Sequence, residues 1–255
     1  MKLTIAVLGH HDGDRYHRAL ESAEIAAARA DAVVVQPVVD VNGSLDFRGG
    51  AWAVYGGNAA RAKAELFRRW HEESQEGDWV YQLDGDDMLE PGGAEALLRD
   101  ISLANADLIG YYGFNALDGD RWGMMAQKPW PAGPGIGAHW DAYPYITSWM
   151  PSLWNRRAVE VLDWPEDMEA YEDGLICYQA LAAHQQGRLR VCISGGTDIV
   201  TVDQTTPGSV QKTANMDFWA DVLRQRRQQW VTRERSNWGE LEWITPPETA
   251  SEGAA

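Results

Sequence analysis

Three short runs of this chain are apolar at consecutive positions rather than at every second one: LTIAVLG (Leu3 to Gly9), DAVVVQPVV (Asp31 to Val39) and DWVYQL (Asp78 to Leu83). A strand with one wet face alternates apolar and polar residues, so unbroken runs rich in β-branched residues predict strands covered on both faces. Between the first two lies Tyr16 to Ala30, alanine-rich with helical spacing, which makes the opening a βαβ unit. A second helix is expected from Asn58 to about Trp70, with Ala59, Ala62, Leu66, Phe67 and Trp70 on one side. A third is expected in PGGAEALLRDI, with Pro91 near its first turn. The alternation predicts an α/β fold, a mostly parallel sheet flanked by helices. The ligand crevice of such a sheet lies at the carboxyl ends of its strands. Asp40 and the stretch Asp84-Gly85-Asp86-Asp87 fall at two of those ends.

At 255 residues the chain is long enough for one large α/β domain with a C-terminal appendage. No apolar stretch reaches the length of a membrane span, and the N-terminus turns polar too early for a secretory signal, so a cytoplasmic protein is expected. Cys177 and Cys192 have no metal-ligand spacing and read as packing residues in a reducing compartment. The formal net charge of −16 argues against a generic polyanion binder, which would need Lys and Arg to displace counterions from phosphates. Several of the 13 tryptophans (Trp122, Trp130, Trp140, Trp149 and Trp164) fall near Gly and Pro in apparent loops. Such rings either stack on sugars or bases or cap the core from above.

Three carboxylates at the end of a buried strand raise one another's pKa unless something compensates them. A divalent cation does so, and an oxygen-rich site suits Mg²⁺ or Mn²⁺, which takes one or two carboxylates while substrate phosphates complete its shell. The competing reading is an acidic turn that caps the following helix, with Gly85 making a tight bend. Glu172-Asp173 poses the same choice, since an acidic first turn is favoured at any helix N-terminus.

Four ordered stretches bear on that choice. VVDVNGSLD (Val38 to Asp46) is similar to the VVDDGSTD segment of inverting, family 2 nucleotide-sugar glycosyltransferases of the GT-A fold. GGNAARAKAELFRRW resembles their xNxARNxGxxxA helix, and GDWVYQLDGDDMLEPGG resembles their GdyixfLDaDDxxxPxxL signature. SLWNRRAVEVLDW followed by YEDGLICYQALAAHQQGRLRV is similar to the acceptor-side segment and the EDxdLxxRlxxxGxxi helix. The resemblance runs from about residue 3 to residue 212. It implies a GT-A domain over residues 1–215; the residue pattern beyond it predicts an Arg/Trp-rich helical segment at 216–244 and a disordered tail at 245–255.

The resemblance also implies residue roles. Asp40 would accept hydrogen bonds from the donor base, with Asn42 and Arg61 also on the donor, although Arg61 reads equally well as the partner of Glu65 one turn on. Asp84 would contact the ribose or reach the metal, and Asp86 would ligate the Mn²⁺ or Mg²⁺ ion that neutralises the leaving diphosphate. Asp173 would be the base that takes the acceptor-hydroxyl proton, with Glu172, Trp149 and Trp154 on the acceptor. A UDP-sugar is the expected donor. The chain departs from the family pattern at Gln204, Thr205 and Thr206, where an Arg-x-His is usual, which leaves a third protein ligand in question; Lys212 is an alternative cation there.

Phe218 to Trp243 reads as one amphipathic helix with arginines between tryptophans. Such a helix either packs on the catalytic domain with its arginine stems lying flat or grips a phosphate backbone. In the second case the acceptor would be a hydroxymethylated pyrimidine in DNA, as in phages that glycosylate their genomes, reached by base extrusion; otherwise it would be a saccharide or protein. Two other functions compete with sugar transfer. A sugar nucleotidyltransferase would need a Gly-rich loop after the first strand, and GHHDGDRYHR lacks that glycine spacing. A catalytically silent binding module of the same fold is disfavoured by the intact Asp84, Asp86 and Asp173.

Overall fold

The computed structural model describes residues 1–10, 13–43, 50–111, 113–118, 121–126, 152–170, 172–194, 199–203, 215–227 and 242–244. The chain opens with β1 (Leu3–Gly9), α1 (Gly13–Ala27) and β2 (Val33–Asp40), the expected βαβ unit, with β1 and β2 parallel in direct register from Leu3 opposite Val33 to Gly9 opposite Val39. A short β3 (Trp52–Val54) extends the sheet beyond β2, and α2 (Ala59–Glu73) begins on its cap Asn58, whose side-chain oxygen accepts from Arg61 N. Next come β4 (Trp79–Asp84), β5 (Met88–Leu89) and α3 (Gly93–Leu103). Pro91 lies just ahead of this helix rather than in its first turn. The second half contains β6 (Leu108–Tyr111), β7 (Gly113–Asp118), β8 (Arg121–Ala126), β9 (Ser152–Asn155), α4 (Arg156–Val161), α5 (Glu172–Gln185), β10 (Val191–Ser194), β11 (Val200–Asp203), α6 (Met216–Arg227) and β12 (Glu242–Ile244).

The main sheet has eight strands in the order β12, β10, β6, β9, β4, β1, β2, β3, and β9 alone among them runs antiparallel to its neighbours. A second, four-stranded sheet joins β5, β11, β7 and β8. The continuous apolar runs are explained by two cores, one on each face. Leu3, Ile5, Val7, Tyr81 and Leu83 point to the core under α1 and α3, while Ala6, Leu8 and Val80 point to the core shared with α2, α4 and α5. Only the last three residues of β2 are buried, so the expectation of a strand covered along its whole length holds for its carboxyl half. Cys177 and Cys192 are buried and neither is in a disulfide, as expected of packing residues.

The C-terminal expectation needs correction. Of the helix expected from Phe218 to Trp243, the described part ends at Arg227, and Glu242–Ile244 is a strand paired in parallel with β10 at the edge of the main sheet. Helical spacing of Arg and Trp is overridden here by backbone pairing to a strand about 50 residues earlier. Helix α6 packs on the domain: Leu223 is fully buried, Trp219 and Val222 lie against the same core, and both guanidinium NH₂ groups of Arg226 bond the carboxylate of Asp167. An arginine committed in this way is not presented to a phosphate backbone. The expected tail, residues 245–255, lies outside the described residues, and no described helix is long and apolar enough to cross a membrane.

Candidate active site at the carboxyl edge of the sheet

Strands β1, β2 and β4 are neighbours in the sheet and end side by side, at the carboxyl edge where the ligand crevice of such sheets lies. Asp40, the final residue of β2, is fully buried. Its Oδ1 accepts from Asn42 N at 3.1 Å and its Oδ2 from Gly57 N at 2.9 Å, with His10 Nδ1 at 3.0 Å as a third partner. The Gly57 amide reaches that oxygen from a backbone with φ +73°, a region L side chains seldom adopt. Asp40 therefore ties the ends of β1 and β2 to the entry of α2. Asp40, expected to meet the donor base, has both its oxygens held by donors of its own chain. Asn42 is exposed and spends its Nδ2 on Tyr55 O. Sequence reading passed over His10 and Gly57; the position of GHH just past an all-apolar strand was the available signal.

The acidic turn follows β4. Asp84 O accepts from Asp87 N at 3.0 Å, which closes the turn, and a Cβ on Gly85 would stand 2.6 Å from Leu8 O, so glycine alone lets the turn lie against the end of β1. Asp87 is buried, Asp86 half-buried, and the Asp84 side chain is 33% exposed with one oxygen accepting from Gln82 Nε2 at 2.8 Å. The described residues contain no cluster of three His, Cys, Asp or Glu able to enclose a metal. Asp84 and Asp86 are the residues of this turn that could hold a hard cation, which takes one or two carboxylates and fills its shell with phosphate oxygens and water.

Opposite this turn is the start of α5. The helix is buried on all sides from Glu172 to Ala183, which carries its two acidic first-turn residues into the interior. Asp173 Oδ1 accepts from its own helix at Gly174 N, 2.8 Å away, and the positive end of the helix favours charge here. Burial pushes the Asp173 carboxyl up to about 8, the neighbouring Glu172 charge adds to the rise, and Lys63 works against it.

Lys63 joins the two halves. Its side chain rises from α2 into the interior, 5% exposed, with Nζ 3.4 Å from Glu172 Oε1 and 3.9 Å from Asp84 Oδ1. Burial opposes its charge, but the pull of Asp84, Glu172 and Asp173 outweighs that cost and holds Lys63 above the ordinary lysine range. The fold thus brings Asp84, Glu172 and Asp173, distant in sequence, around a single ammonium.

Other expected site residues lie elsewhere. Arg61 is exposed and donates from Nε to Glu166 O; it does not pair with Glu65, whose carboxylate accepts from Tyr55 N. Trp154 is a core residue of β9, not an acceptor platform: it is 5% exposed and stacks with Trp164 at 5.7 Å between ring centres, with Phe67 against both. Trp164 therefore caps the core. Trp130, Trp140, Trp149, Gln204, Thr205, Thr206 and Lys212 lie outside the described residues, as does the side chain of Trp122.

This sheet order, with its antiparallel strand between parallel neighbours and acidic residues at two strand ends, is that of a GT-A-like fold. Among solved structures, the chain is similar to S. aureus TarS, with a TM-score of 0.54 and 13% identity over 80% of this chain and 37% of that one. It is similar as well to TarS 1–349 in complex with UDP-GlcNAc (TM-score 0.55, 12% identity, 84% of this chain and 61% of that one) and in complex with UDP (0.53, 13%, 92% and 72%). The chain spans less than two thirds of the first two of these structures. No protein-family model and no curated protein sequence matches it.

Proposed function

We propose that this chain is an inverting glycosyltransferase that moves a sugar from a nucleoside-diphosphate sugar, a UDP-sugar first among them, to an acceptor hydroxyl. The observation that carries the reading is the meeting of the strand-end carboxylate Asp84 with the helix-start pair Glu172 and Asp173 in one crevice. The shared fold with a protein whose structures hold UDP-GlcNAc and UDP supports the donor class. Residues 1–215 are the proposed catalytic unit, with β12 completing its sheet.

In this reading Asp84 and Asp86 would hold a Mn²⁺ or Mg²⁺ ion, which when bound offsets the charge gathering on the leaving diphosphate. Asp40 acts indirectly, by fixing the crevice floor against the first turn of α2. The acceptor oxygen attacks the anomeric carbon as the bond from that carbon to the diphosphate oxygen breaks on the opposite face. Its proton passes to Asp173, which must be ionised to receive it. Glu172, held by Lys63, lines the same end of the crevice and is the candidate to orient the acceptor hydroxyl.

The test is release of nucleoside diphosphate from UDP-, GDP- and TDP-sugars with Mn²⁺, in the presence of saccharide, protein or hydroxymethylated-DNA acceptors. Wild type should release it from one donor class, and Asp86→Ala should lower the rate at least about 100-fold. Equal rates in wild type and variant would defeat the assignment of the acidic turn. No release, together with no binding of any of these nucleotides by calorimetry, would defeat the transferase reading itself.

A further inference from the structure

The structure gives Lys63 a place that its sequence position on α2 does not reveal. It is the cation that lies between the donor-side and acceptor-side carboxylates, buried and within 3.4 Å of Glu172 and 3.9 Å of Asp84. An ammonium in contact with Asp84 has two opposed effects. It supplies part of the positive charge the acidic turn needs, so the turn is stable without an ion. It also repels any dication approaching Asp84, and in a partly buried site that repulsion is weakly screened. A diphosphate brings negative charge of its own and offsets the repulsion.

We propose that Lys63 is a positioning residue that makes divalent-ion binding at the Asp84–Asp86 turn conditional on the nucleotide diphosphate: the bare ion binds weakly, and ion and nucleotide bind together. The inference rests on the function proposed above and assigns a further residue to its site. Lys63 touches neither the sugar nor the acceptor in this account. It acts through Asp84 and Glu172, keeping the two acidic centres assembled and excluding a stray ion that would otherwise pull Asp84 away from the crevice.

The test is calorimetric titration of Mn²⁺ into the full chain with and without UDP, for wild type, Lys63→Met and Lys63→Arg. Methionine keeps the length of the stem and removes the charge; arginine keeps the charge. Bare Mn²⁺ should bind Lys63→Met about tenfold more tightly than wild type, UDP should tighten Mn²⁺ binding more in wild type than in Lys63→Met, and Lys63→Arg should match wild type. If Lys63→Met does not fold, Lys63→Gln carries the same comparison. A gain in bare-ion affinity below threefold in the neutral variant overturns the proposal, as does an equal gain in Lys63→Arg. These outcomes leave the transferase reading standing so long as wild type binds UDP with Mn²⁺. Should wild type not bind UDP, the same titrations are run with GDP and TDP, and failure to bind any of the three sinks both.

Discussion

Asp173 is the residue whose chemistry depends most on its surroundings. The same carboxyl group has an ordinary value of 3.8 and is pushed up to about 8 by burial beside Glu172, with Lys63 limiting the rise. A base must be ionised to act, so kcat/KM should climb roughly tenfold per pH unit through neutrality and level off above about 8. A flat profile over that range would remove Asp173 from the role of base. Stability should move the other way. Between about 4 and 8 the folded chain keeps a proton that the unfolded chain has released, so this group's contribution is greatest below pH 4 and is lost as pH rises toward 8. Urea midpoints for wild type and Asp173→Asn across that range check the sign: only wild type should show this loss. The role proposed for Asp173 comes from a family resemblance, whereas its environment was not legible in the sequence, because Lys63 stands 109 residues away from Glu172. A lysine read along a helix looks like a solvated one until the far helix is set against it.

At the scale of elements, what could be read depended on how much each segment carries its own signal. Strands β1 and β4 announce themselves because both faces are covered, and α2 begins where Asn58 offers a cap. Strand β9 has four residues and no period of its own; it is a strand because β4 and β6 flank it. Helix α6 was foreseen at its start and misjudged in extent. Its anchoring gives a contrast that separates packing from charge. Leu223→Ala removes a fully buried side chain and should cost about 2 to 4 kcal/mol. Arg226→Ala breaks a pair with the largely exposed Asp167 and should cost no more than about 1 kcal/mol. Denaturant unfolding of the two variants decides the order, and a larger loss at Arg226 would mean that α6 is held by its ion pair.

Across the whole molecule, the site is assembled from parts that meet only in the folded state: three strand ends, the entry of α2 and the buried start of α5. Ligands that bridge these parts should therefore stabilise the fold as a unit. UDP with Mn²⁺ at about 100 times its dissociation constant contributes about 2.7 kcal/mol, which for a chain of this size corresponds to a rise in Tm of roughly 5 to 10 °C. A thermal melt with and without the pair reads it directly, and no shift at saturating ligand would argue that UDP is not the nucleotide. The sheet has one further property. Strand β12 covers the outer margin of β10 with parallel backbone bonds through Cys192, Ile193 and Ser194. A chain cut short ahead of Glu242 would bare that margin, leaving a row of unpaired amides and carbonyls open to a neighbour's strand. Strand β12 thus guards against self-association, and shortened forms should be the ones that clump on expression.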